Sequence, residues 1–97
     1  MRPLIQQTFT KPTAFRTDAT LQAREVRLVI RPIKGGDASK YRMKKGIDGV
    51  WNIILDLAPG RYAYQFLVDQ IPTLDPTSRG TVQDDESGTC SMREVSH

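Results

Sequence analysis

The residue types that most often carry chemistry are scarce in this chain. It has one cysteine, Cys90, and one histidine, His97, at the last of 97 positions. A single cysteine excludes an internal disulfide and a cysteine-based zinc site. A nucleophile–base–acid triad anchored on a terminal histidine has no rigid support. The acidic run Asp84-Asp85-Glu86 places three carboxylates in succession. A calcium loop needs ligands at alternating positions, so this run reads as a solvated turn. The basic cluster Lys40, Arg42, Lys44 and Lys45 encloses one aromatic, Tyr41. It lies in no recognisable nucleic-acid motif and reads as a solvated loop, so neither nucleic acid nor membrane is an expected partner. No set of base, nucleophile and metal ligands emerges, so the expectation is a non-catalytic domain without a cofactor.

Charge is distributed unevenly. Residues 1–45 hold eleven basic and three acidic side chains, a balance of +8, and residues 46–97 hold three and eight, a balance of −5. Such asymmetry fits an acidic partner, or two sheets that neutralise each other. No run of Val, Ile, Leu or Phe exceeds three residues, as in Ile53-Ile54-Leu55, far short of a membrane span. The first 30 residues lack the apolar stretch of a secretory leader, and the expected location is cytoplasmic.

The elements that would position any site alternate with period two. Val26, Leu28 and Ile30 alternate with Arg27, Val29 and Arg31; Trp51, Ile53, Leu55 and Leu57 form a second such set; Tyr62, Tyr64, Phe66 and Val68 form a third. Period-two alternation is the mark of a half-buried strand. The last two runs are separated by Ala58-Pro59-Gly60, a tight-turn signal, so residues 49–69 read as a β-hairpin. Weaker strands are expected at Thr13–Thr17, Tyr41–Met43, Thr81–Val82 and Cys90–Val95. Pro32–Ser39 and Asp69–Gly80 read as loops. Residues 1–12 read as an N-terminal arm and 13–97 as one all-β, immunoglobulin-like sandwich of about seven antiparallel strands. Its inward set is Phe15, Met43 and the alternating residues named above. On this hairpin Ile54 and Leu67 share the outer face, which suggests a surface covered by the arm, a second copy or a neighbouring domain.

The segment from Met43 to Pro76 is the most informative. Asp48-Gly49-Val50-Trp51, Leu57, Pro59-Gly60, Tyr62, Tyr64, Phe66, Val68-Asp69 and Asp75-Pro76 follow one another at characteristic spacings. The pattern resembles the early-set domains known as family 48 carbohydrate-binding modules. These precede the catalytic barrels of isoamylases and glycogen-branching enzymes and occur in the β subunit of the AMP-activated kinase. The resemblance covers roughly residues 13–95. It implies an early-set fold and an α-glucan-binding role, in an accessory domain of a glycoside hydrolase or branching enzyme.

In that family two exposed tryptophans stack on glucose rings, and a lysine and an asparagine bind hydroxyls. Here the first loop reads Arg31-Pro32-Ile33-Lys34-Gly35-Gly36, the lysine position is Gln65 and the second tryptophan position is Pro72. The asparagine region reads Gly88-Thr89-Cys90-Ser91. The resemblance therefore leaves Tyr41, Gln65, Thr73 and Ser91 as the candidate ligand-binding set, provided they converge on one face. The alternative is a structural or protein-interaction sandwich that has lost sugar binding and docks through Ile54 and Leu67.

Overall fold

A computed structural model describes residues 10–17, 23–78, 80–84 and 88–96. The described residues are all-β: β1 (Lys11–Thr17), β2 (Val26–Pro32), β3 (Ser39–Arg42), β4 (Lys44–Lys45), β5 (Trp51–Leu57), β6 (Gly60–Val68), β7 (Ile71–Thr73), β8 (Thr81–Asp84) and β9 (Gly88–Val95). They form two antiparallel sheets. The small sheet has the order β1-β5-β4, and the large one β3-β2-β6-β9-β8 with β7 also pairing β6. The N-terminal arm, apart from Thr10 to Pro12, lies outside the described residues, as do Asp85, Glu86, Ser87 and His97. Lys11 and Pro12 belong to β1 rather than to an arm.

The inward set expected from alternation is the core. Phe15, Val26, Leu28, Ile30, Met43, Trp51, Tyr62, Tyr64 and Phe66 are buried, with Ile53, Leu55, Leu57 and Val68 packed against them; Val95 and Ala23 complete the cluster. Each fully buried large side chain contributes roughly 1.5–3 kcal/mol. Phe15 from the small sheet meets Tyr64 of the large sheet edge to face, with ring centroids 5.0 Å apart. Tyr64 meets Phe66 in the same manner at 5.9 Å.

The expected hairpin over 49–69 is not formed. β5 pairs with β1 and β4, whereas β6 pairs with β2, β7 and β9. Ala58 and Pro59 instead carry the chain from one sheet to the other. Three peptide units join Leu57 to Gly60, a reach of roughly 10 Å that matches the spacing of packed sheets. Gly60 turns at φ +152°, a conformation that favours glycine. The Tyr62 hydroxyl donates to the Ala58 carbonyl at 2.7 Å and braces the crossing. Both runs keep their apolar side chains inward, but from opposite walls of the core. Ile54 and Leu67 therefore share no face: Ile54 lies on the small sheet opposite Ala14, and Leu67 on the large sheet opposite Arg27.

A two-residue hairpin does occur at Asp69-Gln70, in a stretch expected to be loop. Val68 pairs with Ile71, and both turn residues have positive φ, 49° and 72°. This is the twist of a type I′ turn, which suits the right-handed twist of its strands. The Asp69 carboxylate repays its backbone strain by accepting from the amides of Arg24 and Glu25, each at 2.9 Å. Gln70 has no such role in the hydrogen bonds seen here. Left-handed φ costs a non-glycine residue about 1–2 kcal/mol, and glycine's extra chain entropy offsets part of that. Gln70→Gly is expected to stabilise the fold by about 0.5–1 kcal/mol, read as a higher urea midpoint at unchanged slope. A lower midpoint would contradict the turn geometry.

The outer edge of β1 is closed by a side chain. Arg93 of β9 donates from Nη1 to the Ala14 carbonyl at 2.9 Å, with its guanidinium 5.1 Å above the Phe15 ring. A capped edge does not invite a further strand.

Candidate functional site

Two features of the large sheet bear on function. The first is a buried polar lock around Asp75. Its Oδ2 accepts from the Tyr64 hydroxyl at 2.6 Å, and its Oδ1 accepts from the Thr77 amide and hydroxyl at 2.9 and 2.7 Å. Its amide donates to Ser91 Oγ at 2.9 Å. Burial, reinforced by the Asp75 carboxylate, holds the Tyr64 phenol far above its ordinary range, so it stays a donor. Farther along the same loop, Ser78 Oγ donates to the Gly80 carbonyl and accepts from the Met92 amide. The lock thus ties the 74–80 loop to β6 and β9. It also floors an open cleft of about 710 Å³ whose walls include Ser78, Arg93 and Glu94.

The second feature is the outer face of the large sheet. Strand register sets its rows. On β6, Ala63, Gln65 and Leu67 lie opposite Arg31, Val29 and Arg27 of β2. On β3, Lys40 and Arg42 lie opposite Val29 and Arg27. On β9, Met92 lies beside Ala63, and Cys90 donates no strand partner to β6 but is reached by Gln65 Nε2 at 3.3 Å. Gln65 stands where β6 changes partners, with β9 pairing residues up to Tyr64 and β7 pairing from Phe66 onward. Ala63, Gln65 and Cys90 are each no more than 5% exposed, although they lie on the outside of the sheet. They form a low, smooth floor with cations along one side.

The four candidate binding residues are not all brought to one face, although Gln65 and Thr73 line one small cavity with Pro72, Leu74 and Thr89. Gln65 alone belongs to the outer face. Tyr41 alternates with Lys40 and Arg42 and pairs with Leu28, which places it on the inner side of edge strand β3, where it is 39% exposed. Thr73 pairs with Phe66 and also lies on the inner side. Ser91 is fully buried and serves the Asp75 lock. Gln65 is itself buried.

Lys40, Arg42, Lys44 and Lys45, close in sequence, do not form one loop. The fold divides them. Lys40 and Arg42 flank the floor on the large sheet; Lys44 and Lys45 belong to the small one, with Lys45 Nζ 6.0 Å from the centroid of the Trp51 ring. What sequence reasoning missed is the company of Lys40 and Arg42. Arg27 and Arg42 converge on Glu25 Oε2 at 2.9 and 3.3 Å, and Arg31 continues their row. The signal was present as shared parity: Arg27 and Arg31 occupy the positions of β2 that alternate with its buried residues.

No family profile matches the chain, and no curated protein matches it. Solved structures do. A pullulanase from Paenibacillus barengoltzii is similar over 89% of this chain and 14% of its own, at 20% identity and a TM-score of 0.56. A mutant of that enzyme complexed with maltotetraose gives the same values. Pullulanase from Bacillus acidopullulyticus is similar over 86% of this chain and 11% of its own, at 21% identity and a TM-score of 0.55. The chain thus spans about one-seventh or less of the enzymes it resembles, and at this identity the likeness is one of fold: an all-β sandwich of the kind that forms a small part of a pullulanase.

Proposed function

We propose that this chain is a non-catalytic accessory module of an α-glucan-active protein, and that it meets glucan on the outer face of its large sheet. The observation that carries this reading is the likeness of nearly the whole sandwich to a small part of two pullulanases. The sequence motif running from Asp48 to Pro76 supports it independently. The outer face supplies a floor around the buried Gln65, with Lys40, Arg27 and Arg31 as polar groups along its side. A sugar ring needs an apolar surface for its C–H face and polar groups for its hydroxyl rim. Val29, Ala63 and Leu67 offer the first without an aromatic ring, so affinity for neutral glucan is expected near the millimolar range, about −4 kcal/mol. Electrophoresis through a gel containing glycogen tests this. Retardation relative to a plain gel is the expected result; equal mobility in both would overturn the reading.

A second reading, docking onto a neighbouring domain, is favoured by the apolar tips. Ile47, in the turn between β4 and β5, is fully exposed, and Ile54 is 66% exposed. Such a partner would lie against the small sheet and leave the outer face of the large sheet free.

A further inference from the structure

We infer that the outer face of the large sheet is built for a glucan that carries oxyanions, meaning glucose units esterified with phosphate, rather than for a neutral chain. The inference rests on the glucan-binding reading above and narrows its ligand.

Four cations border one floor. Arg42 lies directly across from Arg27, Lys40 directly across from Val29, and Arg31 one step farther along β2. Cross-strand neighbours on one face stand about 5 Å apart and diagonal ones about 7–8 Å, so the four surround Val29 within a single ligand's reach. Like charges placed directly opposite each other are destabilising in a sheet. Glu25 relieves the Arg27–Arg42 pair by bridging both guanidinium groups. Arg42 keeps 75% of its side chain exposed despite that bridge. A row of exposed guanidinium groups beside a smooth floor suits a planar, bidentate oxyanion contact.

The floor also lacks a platform for nucleic-acid bases. Stacking of nucleic-acid bases requires aromatic rings. Among the described residues the outer face carries none, because Tyr41 points to the other side of β3. A ligand read here must combine negative charge with an apolar face that Val29 and Leu67 can meet. A phosphorylated glucan has both.

The test compares maltoheptaose, maltoheptaose phosphorylated at C6 and inorganic tripolyphosphate by calorimetry at low and high salt. The expected result is that the phosphorylated sugar binds about ten-fold more tightly than the neutral one at low salt, equivalent to about 1.4 kcal/mol. That gain should vanish at high salt and in the double variant Lys40→Gln, Arg42→Gln, and persist in Lys44→Gln, which alters the other sheet. Both double-variant sites are exposed, so folding is expected to survive; the Trp51 fluorescence of each variant checks it. Equal affinity for the two sugars would overturn this inference and leave the glucan reading intact. Binding of neither sugar would overturn both. Tripolyphosphate binding as tightly as the phosphorylated sugar would show that charge alone is read, and a gain retained in the double variant would place the site elsewhere. Either outcome contradicts the inference.

Discussion

Asp75→Ala is expected to destabilise the domain by about 3–5 kcal/mol, the range for removing one partner from a buried, charge-assisted network. Five hydrogen bonds meet at this residue, and three end on its carboxylate. Truncation leaves the Tyr64 hydroxyl buried without its acceptor, and frees the 74–80 loop from the β-strands it spans. For a domain of this size each kcal/mol corresponds to about 4–8 °C, so the melting temperature should fall by at least about 12 °C. Urea unfolding followed by Trp51 fluorescence measures the loss. Asp75→Asn keeps the shape and an acceptor for Thr77, and should lose less. A loss below about 1 kcal/mol for the alanine variant would mean that water replaces the lock, contrary to its burial.

Phe15→Ala is expected to cost a similar amount, about 3–5 kcal/mol, by a different route. Phe15 is 1% exposed and is the small sheet's contact with the Tyr64 ring. Its removal opens a cavity between two walls that cannot close without shifting a whole sheet. It also removes the ring beneath the Arg93 guanidinium, which caps the β1 edge. Phe15→Leu refills most of the volume and loses only the ring geometry, so it should cost less than half as much. Equal losses for the two variants would show that packing volume is not what Phe15 contributes.

Alternation made the walls of the core legible before their arrangement. Trp51, Ile53, Leu55 and Leu57 on one run, and Tyr62, Tyr64 and Phe66 on the next, all face inward as period two requires. Period two reports which side of a strand is buried; it is silent on which strand lies beside it. Ala58-Pro59-Gly60 therefore reads equally as a hairpin turn or as a crossing between sheets, and only the pairing of β5 with β1 decides. That one difference moved Ile54 and Leu67 to separate faces. The short β7 escaped notice because Pro72 interrupts it and because Asp69-Gln70 lacks the glycine that usually marks a type I′ turn.

The site was less legible than the fold. Gln65 stands out in sequence as a polar residue within an aromatic strand, but its burial comes from its place at the gap between β7 and β9. Ser91 looks like any strand serine; its role depends on Asp75, sixteen residues away in sequence. The cationic border depends on the register of β2 against β3, which no local pattern specifies. Tyr41, the one aromatic in its loop, faces away from Lys40 and Arg42 by simple alternation once β3 is known to be a strand.

The most direct test of the glucan-binding account is an amide-shift map by NMR during titration with maltoheptaose. The account predicts saturable shifts confined to Val29, Ala63, Gln65, Leu67 and Cys90, with the small sheet unmoved. Shifts centred on the cleft beside Asp75 and Arg93, or none at millimolar sugar, would contradict it.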